Sequence, residues 1–230
     1  MTFKIIIYDL ETTGLSITND EIIECYCYDI VEGTCIHLIC DTNLPIPPEV
    51  SKVHGWTNMD LKGKKTFNEH IPELFDFCSE KCIFIAHNND HFDKLMLLTN
   101  LIKNGHSRPN YWKFIDTCKL ANIAYPDLDN YKQETLQNKF NIQVGNNHKA
   151  NKDVLDLYHI YENICEKLKL NPINDIIEIL KLSRNWYPCK MMYGKHKGTL
   201  IKDLPKDYKT WLKSNHNSNR ELMKAIKLSE

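Results

Sequence analysis

The 230-residue chain contains no apolar run near the roughly 20 residues that a membrane-crossing helix requires, which argues against an integral helical membrane protein. Its first residues, MTFKIIIYDLETTG, lack the charged start, apolar stretch and small-residue cleavage site of a secretory leader, so an intracellular, cytoplasmic location is expected. No CxxC pair occurs. The nine cysteines are odd in number and scattered through apolar stretches, which argues against a disulfide scaffold. Cys25-x-Cys27 and Cys78-x3-Cys82 have poor zinc spacing, so free, mostly buried thiols are expected. Internal repeats and low-complexity tracts are missing too, and with them the solenoid and array architectures.

What is present suits one ordinary domain with an appendage. Hydrophobic residues make up 42% and charged residues 26%, enough for a core. The net charge of −1 conceals a gradient: from residue 181 onward 12 basic side chains face four acidic ones, a balance of +8, and the rest carries −9. Acids gathered around a cation, with basic groups holding a polyanion, is one reading; a solvated helical face is the other.

Phe3–Asp9 reads as a strand buried on both faces. Two further strands, 21–30 and 34–41, flank a turn at Glu32-Gly33, and the proline-bearing stretch 42–65 reads as loop. Helical spacing follows over 67–78, then a short strand at 82–86 and a helix over 90–103 that Asn89 or Asp90 could cap. A strand end at 114–116 precedes helices over 117–124, 133–140 and 150–168. Antiparallel strands followed by strand–helix alternation predict an α/β domain with a mixed sheet. The boundary to the basic tail is placed at 170–187, giving a first domain over 1–170 and a module over 187–230.

Three segments carry chemistry. In Asp9-Leu10-Glu11-Thr12-Thr13-Gly14-Leu15, alternation along the strand points Asp9 and Glu11 to the same face. Adjacent carboxylates repel unless protonated or compensated by a cation, and hard divalent ions favour such oxygen-rich sites. In Ala86-His87-Asn88-Asn89-Asp90-His91-Phe92-Asp93, Asp93 enters the first turn of a helix, where its charge also suits the helix dipole. In His148-Lys149-Ala150-Asn151-Lys152-Asp153, a five-residue spacing is not a same-face helix spacing. The two end residues can meet only if His148 precedes the helix that bears Asp153.

Taken in order, D-x-E-T-T-G, A-H-N-x-x-x-F-D and H-x-A-x-x-D resemble the three motifs of the DEDDh exonucleases, the family of the bacterial polymerase III proofreading subunit and of exonuclease X. Val53-His54-Gly55-Trp56-Thr57 and Ile115-Asp116-Thr117-x-x-Leu120-Ala121 resemble two linking signatures, with Trp56 in place of the commoner isoleucine. The likeness spans residues 1 to about 168. It implies a ribonuclease H-like mixed five-stranded sheet with flanking helices. It also implies two divalent ions, Mg²⁺ or Mn²⁺, held by Asp9, Glu11, Asp93 and Asp153, with His148 as general base. The implied reaction is 3′→5′ hydrolysis of DNA to nucleoside 5′-monophosphates. Thr12, Thr13 and Gly14 are then expected at the terminal sugar and Leu15 and Phe92 at the terminal bases, with His54, His87 and Asn88 nearby. Single-stranded 3′ ends, DNA rather than RNA, are the expected partner, alongside a polymerase or repair complex. An RNA 3′ exonuclease and a non-catalytic nucleic-acid-binding protein are the alternatives.

The tail pattern Tyr193-Gly194-Lys195-x-Lys197-Gly198…Ile201…Leu204-Pro205-x-Asp207-Tyr208…Trp211-Leu212 resembles the small C-terminal module of exonuclease X-like proteins, which implies DNA contacts from Lys195 and Lys197. Its aromatics could stack bases. A mini-core of Met192, Leu200, Leu204, Tyr208, Trp211 and Leu212 is the reading preferred for most of its apolar residues.

Overall fold

The computed structural model describes residues 3–79, 81–142, 150–216 and 219–230. Five strands, β1 (Lys4–Thr12), β2 (Ile22–Asp29), β3 (Thr34–Ile39), β4 (Cys82–Ala86) and β5 (Lys113–Asp116), form one sheet in the order β3-β2-β1-β4-β5. The β1–β2 and β2–β3 pairs are antiparallel, and β1–β4 and β4–β5 are parallel. This is the mixed five-stranded sheet with flanking helices that the sequence predicts. The helices of the main body are α1 (Pro48–His54), α2 (Asn58–Leu61), α3 (Phe67–Phe77), α4 (Asp93–Lys103), α5 (Thr117–Ala124), α6 (Gln133–Phe140), α7 (Ala150–Leu168) and α8 (Ile176–Asn185).

Central strand β1 explains the unbroken apolar run at its start. Ile6, Tyr8 and Leu10 face a core layer closed by α3 and α4, and Ile5 and Ile7 face a layer closed by α5, α7 and α8. Burying one such side chain contributes about 1.5–3 kcal/mol, so both faces of the strand anchor it. The carboxylates that follow on β1 are therefore presented from a strand anchored on both faces.

Two stretches read as loop or linker are helical. Pro48 opens α1, because proline at the first helical position loses only a donor that would lack a partner anyway, and Gly55 closes it at φ 83°. Helix α2 starts on a reciprocal cap between Thr57 and Asp60. Helix α8 fills much of the stretch assigned to the boundary. It buries Ile176, Ile179 and Leu180 against the body, and its Ser183 hydroxyl accepts from the Asp116 amide at 3.0 Å.

The C-terminal segment has its own small core of Met191, Ile201, Leu204, Leu212, Leu222, Ala225 and Ile226. A 3₁₀ turn (Ile201–Asp203), α9 (Lys206–Asn215) and α10 (Arg220–Leu228) supply it. Leu204 and Leu212 take the expected core places, whereas Met192 and Trp211 are exposed. The amphipathic α10, unread in the sequence, brings Leu222 and Ile226 instead, which leaves Trp211 outside. Polar ties join this segment to the body. Lys119 pairs with Glu221, Lys190 with Asp127 at 2.9 Å, and the Lys224 ammonium donates to the Asn185 carbonyl at 2.9 Å. Among the described residues no helix is long and apolar enough to cross a membrane.

Candidate metal centre and groove

Strand β1 outruns its parallel neighbour. The β1–β4 register ends at Ile7 opposite Ile85, so Asp9 and Glu11 project beyond the last β4 pairing into a groove of about 710 Å³. Helix α7 crosses above the same face and places Asp153 in its first turn. One carboxylate oxygen from each of Asp9, Glu11 and Asp153 lies within 4.8 Å of the others. The sequence reading brought these three together, and the structure does so.

Their electrostatics are those of crowded, buried acids. Burial, then the neighbouring Asp93, Glu11 and Asp153, pushes the Asp9 carboxyl well above the ordinary range. Burial, followed by repulsion from Glu24, Asp153 and Asp93, raises Glu11 to about 8. Three hard oxygen donors converging in a groove open to solvent fit a divalent cation of the Mg²⁺ or Mn²⁺ type, which would relieve both the desolvation and the repulsion.

Asp93 also lines this groove, as the first residue of α4, but it stands outside the three-oxygen cluster. Burial raises it to about 7, while the Asp93 and Leu10 backbone amides act in the opposite direction. Asn89 and Asp90 do not cap α4. Asn89 is fully buried, accepting from the Tyr8 hydroxyl at 2.6 Å and donating to the Ile115 carbonyl at 2.8 Å. It thereby ties the loop that carries Asp93 to β1 and β5. Asp90 instead receives Lys94 and Lys119, each at 2.6 Å, and these cations hold its carboxyl low against burial.

The turn after β1 is organised by a residue that sequence reading passed over. Asp20 accepts from the Thr13 hydroxyl at 2.8 Å and the Ser16 amide at 2.7 Å. A Cβ on Gly14 would stand 2.6 Å from an Asp20 oxygen, so this turn needs glycine for close approach rather than for a special φ. The Thr12 hydroxyl is spent on the Gly14 carbonyl at 2.6 Å, leaving the turn shaped from within. Leu15 at its tip is 83% exposed, and Phe92 lines the groove.

Glu24 is the second residue missed. It pairs across the hairpin with Glu11, and its oxygens accept from the Trp56 indole and bond the His37 ring, both at 2.6 Å. No local signal marks it; only the strand register does. His54 lies beside this group, buried, with Nδ1 accepting from the Trp56 amide at 3.0 Å. Burial lowers its pKa against the pull of Glu24. His87 and Asn88 line the groove. The His87 ring bonds the Thr117 hydroxyl at 2.9 Å and the Tyr131 carbonyl at 2.7 Å, and burial lowers its pKa, so it buttresses the wall. His148 lies outside the described residues. Lys195 and Lys197 are exposed on the C-terminal segment and do not line the acidic groove.

Comparison with known proteins matches residues 6–161 to a family described as exonuclease (RNase_T). Residues 183–228 match a second family, described as a proposed quorum-sensing-regulated virulence factor. A PolC-type DNA polymerase III of Caldanaerobacter subterraneus is 28% identical over 204 residues, covering 87% of this chain and 14% of the relative. The 3′-5′ exonuclease DinG of Staphylococcus haemolyticus is 29% identical over 187 residues, covering 78% of this chain and 20% of that protein. The chain thus spans a fifth or less of the length of these curated relatives. Among solved structures, exonuclease X in complex with 5′ overhanging duplex DNA superposes with a TM-score of 0.56 at 20% identity, covering 76% of this chain and 99% of that one. Exonuclease I of E. coli with single-stranded DNA gives 0.62 at 18% identity, covering 72% and 41%. At these identities the superpositions establish a shared fold.

Proposed function

We propose that this chain, which belongs to the exonuclease family, removes nucleotides from the 3′ end of a DNA strand by hydrolysing its last phosphodiester. The observation that carries the reading is the convergence of Asp9, Glu11 and Asp153 oxygens in a groove of about 710 Å³. Asp9, Glu11 and Asp153 would hold one divalent ion, with Asp93 assisting Asp9 at a second. When bound, such ions polarise the scissile phosphate and make a bound water acidic near neutral pH.

The remaining work falls to the chain's own side chains. The Asp20-braced turn and Gly14 let backbone approach the terminal sugar, with Thr12 and Thr13 fixing its shape. Leu15 and Phe92 flank the entrance, where the terminal bases would pack. His148, placed by its motif before α7, takes the proton of the attacking water on a neutral imidazole nitrogen. Release of a nucleoside 5′-monophosphate follows from cleavage on the 3′ side of the last internal sugar. Preference for DNA and association with a polymerase or repair complex are supported by the names of the relatives, a DNA polymerase III among them.

The test is hydrolysis of 5′-labelled DNA and RNA oligonucleotides with free or phosphate-blocked 3′ ends in Mg²⁺. The reading expects stepwise shortening of the free-ended DNA and nucleoside 5′-monophosphate as product. Faster shortening of RNA would move the substrate to RNA, and internal cleavage of blocked strands would overturn the exonuclease assignment.

A further inference from the structure

The C-terminal segment carries a row of rings of which only Tyr208 also packs against its small core. On α9, Tyr208 and Trp211 are three residues apart and so share a face. Their rings stack at 5.5 Å with 15° between planes. His216, just past the helix end, meets the edge of Trp211 at 5.3 Å, and Tyr193 lies 6.2 Å from His216. At the other end His196 packs on Tyr208 at 4.3 Å, and the Lys195 ammonium sits 5.0 Å from the same ring. Trp211 is 48% exposed and Tyr193 43%, while Leu212, the next residue on α9, is fully buried. The helix thus turns its aliphatic side chain inward and its largest aromatic one outward.

We propose that this strip, Tyr193, His216 and Trp211 backed by Tyr208, holds the single strand upstream of the 3′ end by stacking on its bases. The proposal rests on the nucleic-acid reading above and adds a second contact region to it. Every base has a π-face, so a strip of this kind accepts any sequence, and lysines beside it follow the backbone. The charge is complementary: the strip lies in the part of the chain that carries +8, with Lys195 and Lys197 on the adjoining turn. A protein partner for an exposed apolar strip would not require that excess.

Its position also fits. Tyr193 lines a cleft of about 270 Å³ between the C-terminal segment and the body, floored by Trp186 and Tyr131. Asn88 lines both that cleft and the acidic groove. The cleft beside the strip and the groove that holds Asp9 thus share the residue Asn88.

The test uses the full chain in EDTA, with fluorescein-labelled oligothymidylates of about 4 and about 16 nucleotides, read by anisotropy. The native protein should bind the longer strand more tightly. Trp211→Ala combined with Tyr193→Ala should weaken binding of the longer strand by roughly tenfold or more, since two stacking surfaces for bases are lost. Trp211→Phe, which keeps a ring, should retain most of the affinity, and a matched thermal melt confirms that the alanine variant is folded. Native-like affinity in the folded alanine variant would overturn the strip while leaving the nuclease reading intact. A native protein that neither binds these strands nor shortens them in Mg²⁺ would overturn both.

Discussion

Glu11 and Glu24 face each other across the antiparallel β1–β2 pair, one carboxylate turned into the groove and the other held by Trp56 and His37. The pair divides the acids into a group available to a cation and a group satisfied by protein. It also makes stability depend on pH in an unusual direction.

Glu11 is raised to about 8 and Asp93 to about 7, so between their ordinary values and these the native state holds protons that the unfolded chain has released. Stability without divalent ions should then fall as pH rises from about 4.5 to about 8. Glu11→Gln should raise the melting temperature at pH 8 in EDTA, on the scale of ~2–4 °C per kcal/mol for a chain of this size. Mg²⁺ should stabilise the native protein more than the variant. A melting temperature in EDTA independent of pH, or lowered by Glu11→Gln, would contradict the electrostatic account.

Lys119 joins Asp90, beside the groove, to Glu221 on α10, which lies 102 residues after Lys119. Burial opposes its charge, and the two carboxylates outweigh burial and raise its pKa. Lys119→Met keeps the stem and leaves both acids without their shared cation. Full burial would cost ~3–5 kcal/mol; with both acids about a third or less exposed, a loss of about 1–3 kcal/mol in urea unfolding is expected. A loss below about 0.5 kcal/mol, the ordinary surface range, would remove the clasp.

Tyr8 and Asn89 support the site from beneath. Tyr8→Phe leaves the buried Asn89 oxygen without its donor at 2.6 Å, which should cost about 1–3 kcal/mol. Asn89→Ala should cost as much, and the double variant less than the sum of the two. Strict additivity in a double-mutant cycle would show that the hydrogen bond does not couple them.

His148, proposed from its motif, gives a kinetic prediction. His148→Ala should lower the turnover rate by about 10²–10⁴, with far-UV circular dichroism unchanged. A rate within twofold of the native one at about pH 7 would place the general base elsewhere.

Much of this site is written locally. The apolar start of β1 and its two-residue period place Asp9 and Glu11 on one face, and the stripe on α7 places Asp153 at its head. What was not legible depends on register or long separation. Glu24 is fixed by hairpin pairing, Asp20 by a turn that folds back seven residues, and Glu221 by docking of α10. Asn89 looked like a helix cap because its type suits one; a buried partner 81 residues away claims it instead. Trp211 looked like core for the same reason, until α10 supplied better-placed aliphatic side chains.

The most direct test compares the native protein with Asp9→Asn on a 5′-labelled single-stranded DNA, with Mg²⁺ and with EDTA. The account predicts a ladder of progressively shorter strands from the native protein in Mg²⁺ alone, and an intact strand with the folded variant. Equal shortening by Asp9→Asn, or shortening that persists in EDTA, would contradict it.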